Sequence, residues 1–394
     1  MGAVVVVAML IAAATGSLFM AWTIGAGSSG STPFAPAVGA NAMSVMRAGF
    51  VVGLLGFSGA VLQGANVSET IGGGLITGAE LSSVAVIISL FTAALLVAIG
   101  IFTGYPIATA FTVTGAVTGV GLALGGMPAW ATYRRIVLLW ILIPFVGGGV
   151  AYGTARLLAN DGVQTEYSIA LLGTLTGLVV SNMQFGVLGS AGQSQSIVSL
   201  LVMSWYPESN DLVIAGISLL PAVMCGIVLS YAHLRSAVQT ERRFLVVLGG
   251  LVAFSAGATQ VGLAVGPLLP LIDGLPIPTI GILVFGGLGL LIGSWTGAPR
   301  MIKALSQDYS DLDSKRSIAA LVPSFIIAQT AVFLGVPVSF NEIIVSAIVG
   351  SGYAAKGNPV SGRKMRNTVL AWIGSLALSG TCGFAFIFFL EALL

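Results

Sequence analysis

Charge is what this 394-residue chain has least of: Lys and Arg number 15, Asp and Glu 13, and together they make up 7% of the residues. A soluble domain carries about 25%. With 56% hydrophobic residues, a soluble globule could not keep its surface hydrated. A soluble enzyme, a nucleic-acid binder and a disordered chain are therefore excluded. Histidine is almost absent, with His233 alone at the end of an apolar run. The two cysteines, Cys225 and Cys382, each sit inside apolar sequence and read as packing residues rather than a disulfide or a metal pair. From these counts no metal centre and no nucleophile–base constellation can be assembled, so the chain is not expected to be an enzyme or to hold a cofactor. The N-terminal run MGAVVVVAMLIAAATGSLFMAW lacks a Lys/Arg n-region and is long for a signal peptide, so it reads as a first membrane helix.

Uncharged length is what the chain has most of. No charged side chain occurs in residues 1–46, 48–68, 81–133, 136–155, 167–207, 212–234, 244–272, 274–299, 317–341 or 367–390. One span needs about 20 apolar residues, so the shorter stretches fit one helix each. The stretches 1–46, 81–133 and 167–207 must hold two spans, or a span with half-helices. The fold class is an all-α polytopic membrane protein of roughly 10–12 segments. A transmembrane β-barrel would show short alternating strands instead. Basic residues mark loops at Arg47, Arg134–Arg135, Arg156, Arg235 with Arg242 and Arg243, Arg300 with Lys303, and Lys364 with Arg366. They do not alternate cleanly enough to fix the side of the termini.

Glycine and proline cluster at four places in apolar surroundings: Gly25 to Pro33, Thr103 to Pro106, Ser255 to Gln260 and Leu334 to Pro337. Backbone leaves the helix at membrane depth only where it is buried in protein or lines a cavity, so these clusters predict broken helices or re-entrant hairpins. They also repeat. Gly25-Ala26 aligns with Gly257-Ala258 at an offset of 232, and PIATAFTVTGAVTGVGLA from Pro106 aligns with PVSFNEIIVSAIVGSGYA from Pro337 at an offset of 231. In both halves a basic cluster and a Trp-containing span (Trp140, Trp372) follow. The expected organisation is a first inverted repeat over 1–158, intervening segments over 159–243 and a second repeat over 244–394. Matched interrupted segments in two halves point to the binding site of a secondary transporter; chance similarity of Gly-rich apolar runs is the bland alternative.

A half-helix starting near Pro106 or Pro337 presents free N–H groups and the positive end of its dipole, which together favour an anion. Hydroxyls and an amide nearby would add donors: Thr109 and Thr112 in the first half, Ser339 and Asn341 in the second. They could equally serve only to satisfy helix ends. Two acids fall in apolar context, Glu69 and Glu342, and an intramembrane carboxylate is a candidate for binding a cation or carrying a proton. An interfacial or capping position for Glu69, before Gly72-Gly73-Gly74, is the alternative.

FSGAVLQGANVSETIGGGLI, Phe57 to Ile76, resembles the G-A-x-x-x-G-x-x-V-[ST]-[DE]-T-I-x-x-G-[IL] stretch of the inorganic phosphate transporter (PiT) family, which includes sodium-coupled phosphate permeases and sulfate permeases. Pro106 to Gly121 and Pro337 to Gly352 resemble the two copies of the block that begins P-V-S-T-T-H. The resemblance covers most of the chain and is weakest over 160–240. It implies an inverted-repeat transporter whose two G-A-N-D and two S-T-T-H motifs bind phosphate and sodium near the midplane, and a homodimer. Carried over, the G-A-N-D motifs fall on Gly25, Ala26, Gly27, Ser28 and on Gly257, Ala258, Thr259, Gln260. The S-T-T-H motifs fall on Ala108, Thr109, Ala110, Phe111 and on Ser339, Phe340, Asn341, Glu342. Both Asp, both Asn and both His of the family pattern are thus replaced. Losing the acids weakens a sodium site and removes acceptors for a phosphate proton, so sulfate suits a donor-only pocket at least as well.

The expectation is a cation-coupled carrier of an inorganic oxyanion in the lipid bilayer, working by alternating access, with phosphate first and sulfate close behind. Its substrate residues would be Ser28, Ser29, Thr109, Ala110, Thr259, Gln260, Ser339, Phe340 and Asn341, and its coupling ion would involve Glu69, Glu342, Gly25 and Gly257. Sodium is the coupling ion the resemblance implies and the proton its rival; an anion channel is the alternative from another class.

Overall fold

The computed structural model describes residues 3–160, 162, 164–189, 194–206, 211–307, 309–354 and 361–393. The first half contains α1 (Ala3–Gly27), α2 (Ala35–Gly39), α3 (Val45–Gln63), α4 (Ala65–Gly73), α5 (Ser83–Thr103), α6 (Thr109–Ala123) and α7 (Trp130–Leu158). Between the halves lie α8 (Thr165–Ser181), α9 (Ile197–Trp205) and α10 (Asp211–Arg235). The second half contains α11 (Ala237–Val265), α12 (Leu269–Ile272), α13 (Thr279–Thr296), α14 (Ala298–Gln307), α15 (Ser314–Leu334), α16 (Phe340–Tyr353) and α17 (Gly362–Leu393). Two antiparallel ladders of two residues a side tie loops together, with Ile76 opposite Pro128 and Gln184 opposite Ser196. Among the described residues nine helices are long and apolar enough to span a bilayer, and α6 and α8 are shorter apolar helices. Large apolar side chains such as Phe145, Leu220, Ile227 and Phe389 are exposed, as a chain surrounded by lipid requires.

The halves pack as two copies of one plan. α1 lies against α13 and α5; its counterpart α11 lies against α3 and α15. Helices α5 and α6 form a hairpin with its tip at 104–108, and α15 and α16 form the second with its tip at 335–339. Both tips begin with a glycine in the left-handed region, Gly104 at φ 74° and Gly335 at φ 63°, where a side chain would be strained. Each hairpin then crosses to the other half: α6 packs on α17, and α16 packs on α7. Glycines allow the close approach. A Cβ on Gly119 would meet the Gly380 carbonyl, and one on Gly350 would meet the Gly148 carbonyl. This is the inverted-repeat transporter architecture, with the repeats interlocked.

Three of the four predicted breaks are present, and the fourth is not. The backbone leaves the helix after Gly27, before Thr109 and before Phe340. Ser255–Gln260, however, lies inside the continuous helix α11. Its hydroxyls fold back onto the helix, Ser255 Oγ donating to Leu251 O at 2.8 Å and Thr259 Oγ1 to Ser255 O at 3.1 Å. Gly257 is there for packing, since a Cβ would strike the Gly56 carbonyl of α3. The helix opening the second half begins at Ala237, upstream of the expected boundary at 244. Of the two arrangements expected for the long uncharged stretches, the one with shorter helical pieces is found: 1–46 holds the span α1 with the five-residue α2 and turns, and 167–207 holds α8 with the short α9.

Candidate functional site

The two hairpin tips meet at the end of α1 and the last turns of α11, around Gln260. Neither α6 nor α16 has a side-chain cap at its N-terminus. The first-turn N–H groups of both therefore lack intrahelical acceptors, and each end carries roughly half a positive charge. Two indoles hold the tips across the repeats. Trp140 of α7 donates from Nε1 to Pro337 O at 3.0 Å, and Trp372 of α17 donates to Pro106 O at 2.8 Å. Phe111 stacks on Trp140 with ring centroids 3.9 Å apart.

Gln260 joins the three breaks. Its Oε1 accepts from Thr109 Oγ1 at 2.7 Å and from Ser28 Oγ at 3.2 Å, while its Nε2 donates to Val338 O at 2.6 Å. Asn341 makes the matching link, with Nδ2 donating to Ile107 O at 2.6 Å and to Gly27 O at 3.0 Å. Ile107 and Val338 are equivalent by the repeat offset of 231, so an amide NH2 sits on the same backbone carbonyl in both halves. Ser28, Thr109, Gln260, Ser339 and Asn341 are fully buried and Glu342 is 1% exposed.

The structure thus gathers Ser28, Thr109, Gln260, Ser339, Phe340 and Asn341 around the two helix starts, with Ala110 in the first turn of α6. Several assignments change in character. Asn341 cannot donate to an anion, because its NH2 is spent on two carbonyls. Its buried Oδ1 has no partner and is an acceptor. The Gln260 amide is committed at both ends and acts as a brace. Thr259 Oγ1 turns back to Ser255 O, and Ser29 Oγ lies 3.5 Å from Ile24 O, so both close their own helix ends or turns. Gly25 packs against the Leu290 backbone of α13 as Gly257 packs against α3, so both are close-approach positions. Glu69 is exposed on α4, beside Asp273 in a surface cavity of ≈ 400 Å³, and is not brought to the helix starts.

Glu342 is brought there. Its Oε2 is buried without a partner, as are Ser339 Oγ, Ser346 Oγ and Thr114 Oγ1. An ionised carboxylate in such a place costs several kcal/mol, whereas a helix N-terminus returns about 0.3–2 kcal/mol. The dipole alone does not hold the charge. Sequence reasoning missed Trp140 and Trp372 as holders of the tips. Their positions 34 and 35 residues after Pro106 and Pro337 were a signal, but each holds the proline of the other half. Ser346 and Thr114 were missed because nothing in sequence marks a hydroxyl as unpartnered.

The chain is 22% identical to a solved structure described as the sodium-dependent phosphate transporter, with a TM-score of 0.82, covering 98% of this chain and 100% of that one; that likeness shows the fold. It is 27% identical over 380 residues to a protein of Pyrococcus horikoshii assigned as a phosphate permease, covering 92% of each. A Chlamydia trachomatis protein assigned in the same way is 27% identical over 423 residues, covering 98% of this chain and 99% of that one. Residues 24–383 match the phosphate transporter family, so this chain belongs to that family and is a multi-pass secondary transporter of an inorganic oxyanion, not an enzyme.

Proposed function

We propose that the chain moves inorganic phosphate across the membrane, coupled to a cation, by alternating access around the meeting point of the two hairpin tips. The observation that carries this is the convergence of two uncapped helix N-termini, tied to each other through Gln260 and Asn341. Such ends bind an oxyanion through backbone N–H groups without a buried Arg or Lys. Ser339 Oγ adds a free hydroxyl. Asn341 Oδ1 adds a free acceptor, which a P–O–H group can satisfy and fully ionised sulfate cannot. This favours phosphate over the donor-only reading that placed sulfate beside it.

The residues do not fit sodium at the positions the family pattern suggests. Ser28 and Gln260 replace carboxylates, and the carbonyls of Gly27, Ile107 and Val338 beside them each receive an amide N–H group, so what these positions offer a hard cation is neutral and partly engaged. The test is exchange of labelled phosphate in proteoliposomes, challenged with arsenate and with sulfate. Arsenate, which keeps a proton near neutral pH, should compete; sulfate should not. Equal competition by sulfate would sink the acceptor argument, and conductance far above exchange flux would favour a channel.

A further inference from the structure

Ser339-Phe340-Asn341-Glu342 spells Ser-x-x-Glu, the pattern of a capping box. Helix α16 leaves it open: no side chain caps the helix, and Ser339 Oγ and Glu342 Oε2 are both buried without partners. Four residues beyond Glu342, Ser346 Oγ is also buried and without a partner. Positions 339, 342 and 346 share one face of the helix. Three orphaned oxygens therefore run along about 10 Å of α16, with the carboxyl group in the middle.

No charged group on the neighbouring helices faces that stretch. On α7 the titratable groups are Tyr133, Arg134 and Arg135 at one end and Tyr152 and Arg156 at the other, with none from Ile136 to Ala151. On α15 they are Lys315 and Arg316 in the first turn, with none from Ser317 to Leu334. On α11 they are Glu241, Arg242 and Arg243, with none from Phe244 to Val265, and α1 has none. The facing tip carries Tyr105, whose ring is covered by Lys364 at 4.6 Å. Among the described residues, then, the facing stretches of these four helices bring no positive charge to Glu342.

Resting on the oxyanion reading above, we propose that Glu342 takes up and releases the coupling proton, with Ser339 and Ser346 as hydroxyl steps on either side of it. A metal ion does not suit this stripe. A hard cation draws its oxygens to within about 2.5 Å, and one ion cannot gather ligands strung along about 10 Å of helix. A proton needs one oxygen at a time. On one side of the membrane a hydronium ion gives a proton to the carboxylate, its O–H bond breaking to leave water as the carboxyl O–H bond forms; on the other side the carboxyl O–H bond breaks and a water takes the proton as hydronium.

Coupling to the anion follows from position. Glu342 lies in the first turn of the helix whose N–H groups face the oxyanion. Two negative charges about 8 Å apart at an effective dielectric near 20 repel enough to weaken binding roughly 30-fold. Protonation removes that repulsion, and by linkage the anion favours the proton to the same degree.

The test uses the full chain in proteoliposomes with labelled inorganic phosphate and choline as the only bulk cation. Two activities are read: phosphate exchange at equilibrium, and accumulation driven by an inward proton gradient. The unmodified protein should show both. Glu342→Gln, permanently neutral, should still exchange phosphate but lose accumulation, and Glu342→Asp should recover it. Accumulation by Glu342→Gln equal to the unmodified protein would overturn the proposal, as would loss of exchange in folded Glu342→Gln. In a parallel set of vesicles with sodium replacing choline, accumulation that follows the sodium gradient and ignores the proton gradient would also overturn it. Exchange by the unmodified protein in sodium but not in choline would overturn this inference alone; absence of exchange in both would overturn the oxyanion reading itself, and this inference with it.

Discussion

Gln260→Met isolates the brace between the three breaks. Met keeps the length and flexibility of the side chain but supplies no amide. The substitution strands the Val338 carbonyl, which Nε2 meets at 2.6 Å, and removes the acceptor for Thr109 Oγ1 and Ser28 Oγ. A stranded buried carbonyl costs about 1–3 kcal/mol, and a lost net hydrogen bond about 1. Side-chain bonds inside membrane proteins average nearer 0.6 kcal/mol. The three together give a loss of roughly 2–4 kcal/mol. In detergent the apparent melting temperature should fall by several degrees, and phosphate exchange should disappear, because the tips that present the free N–H groups are no longer tied. Gln260→Glu separates the two halves of the effect. It keeps an acceptor for the hydroxyls but turns a second oxygen toward Val338 O, and should be worse than Met unless protonated. If Gln260→Met left both melting temperature and exchange unchanged, the claim that this amide holds the site would be wrong.

Trp140→Phe and Trp372→Phe each remove one indole donor to a tip proline carbonyl; each should cost about 1–2 kcal/mol and slow exchange, as melting and uptake measurements would show. Gly119→Ala and Gly350→Ala each push a Cβ into the backbone of the partner half; each should cost about 1–3 kcal/mol through overpacking and so lower the melting temperature, and tolerance of either would argue against the close crossing. Ser28→Ala combined with Ser339→Ala should abolish phosphate exchange with the protein still folded, checked by proteoliposome exchange and melting together.

Fold class was legible because the cost of charge in lipid is written directly into sequence: the spacing of Arg and Glu residues outlines the helices without any structure. The breaks at Pro106 and Pro337 were legible for a related reason, since a proline after glycine cannot continue a helix. The break predicted at Ser255–Gln260 failed because small residues have two uses. Gly257 and Ala258 look like an interruption, but in α11 the hydroxyls of Ser255 and Thr259 bond back to the helix and the glycine admits α3. Composition cannot separate a helix that breaks from a helix that packs closely.

The site residues were located better than their chemistry was. Asn341 was read as a donor to the anion because an amide has both functions, and which end is free depends on what lies opposite. Opposite Asn341 are the carbonyls of Gly27 and Ile107, both from the other half of the chain. The same holds for Gln260, whose hydroxyl partners Ser28 and Thr109 also belong to the first half. The second repeat therefore supplies both amides and the carboxyl group, while hydroxyls and carbonyls come from both, Ser28, Thr109, Gly27 and Ile107 from the first and Ser339 and Val338 from the second. Aligning the repeats hides this division, because symmetry predicts like against like. The crossing of the hairpins instead sets unlike groups together: amide N–H groups meet backbone carbonyls, and among the described residues gathered at the helix starts Glu342 is the one that can change its charge.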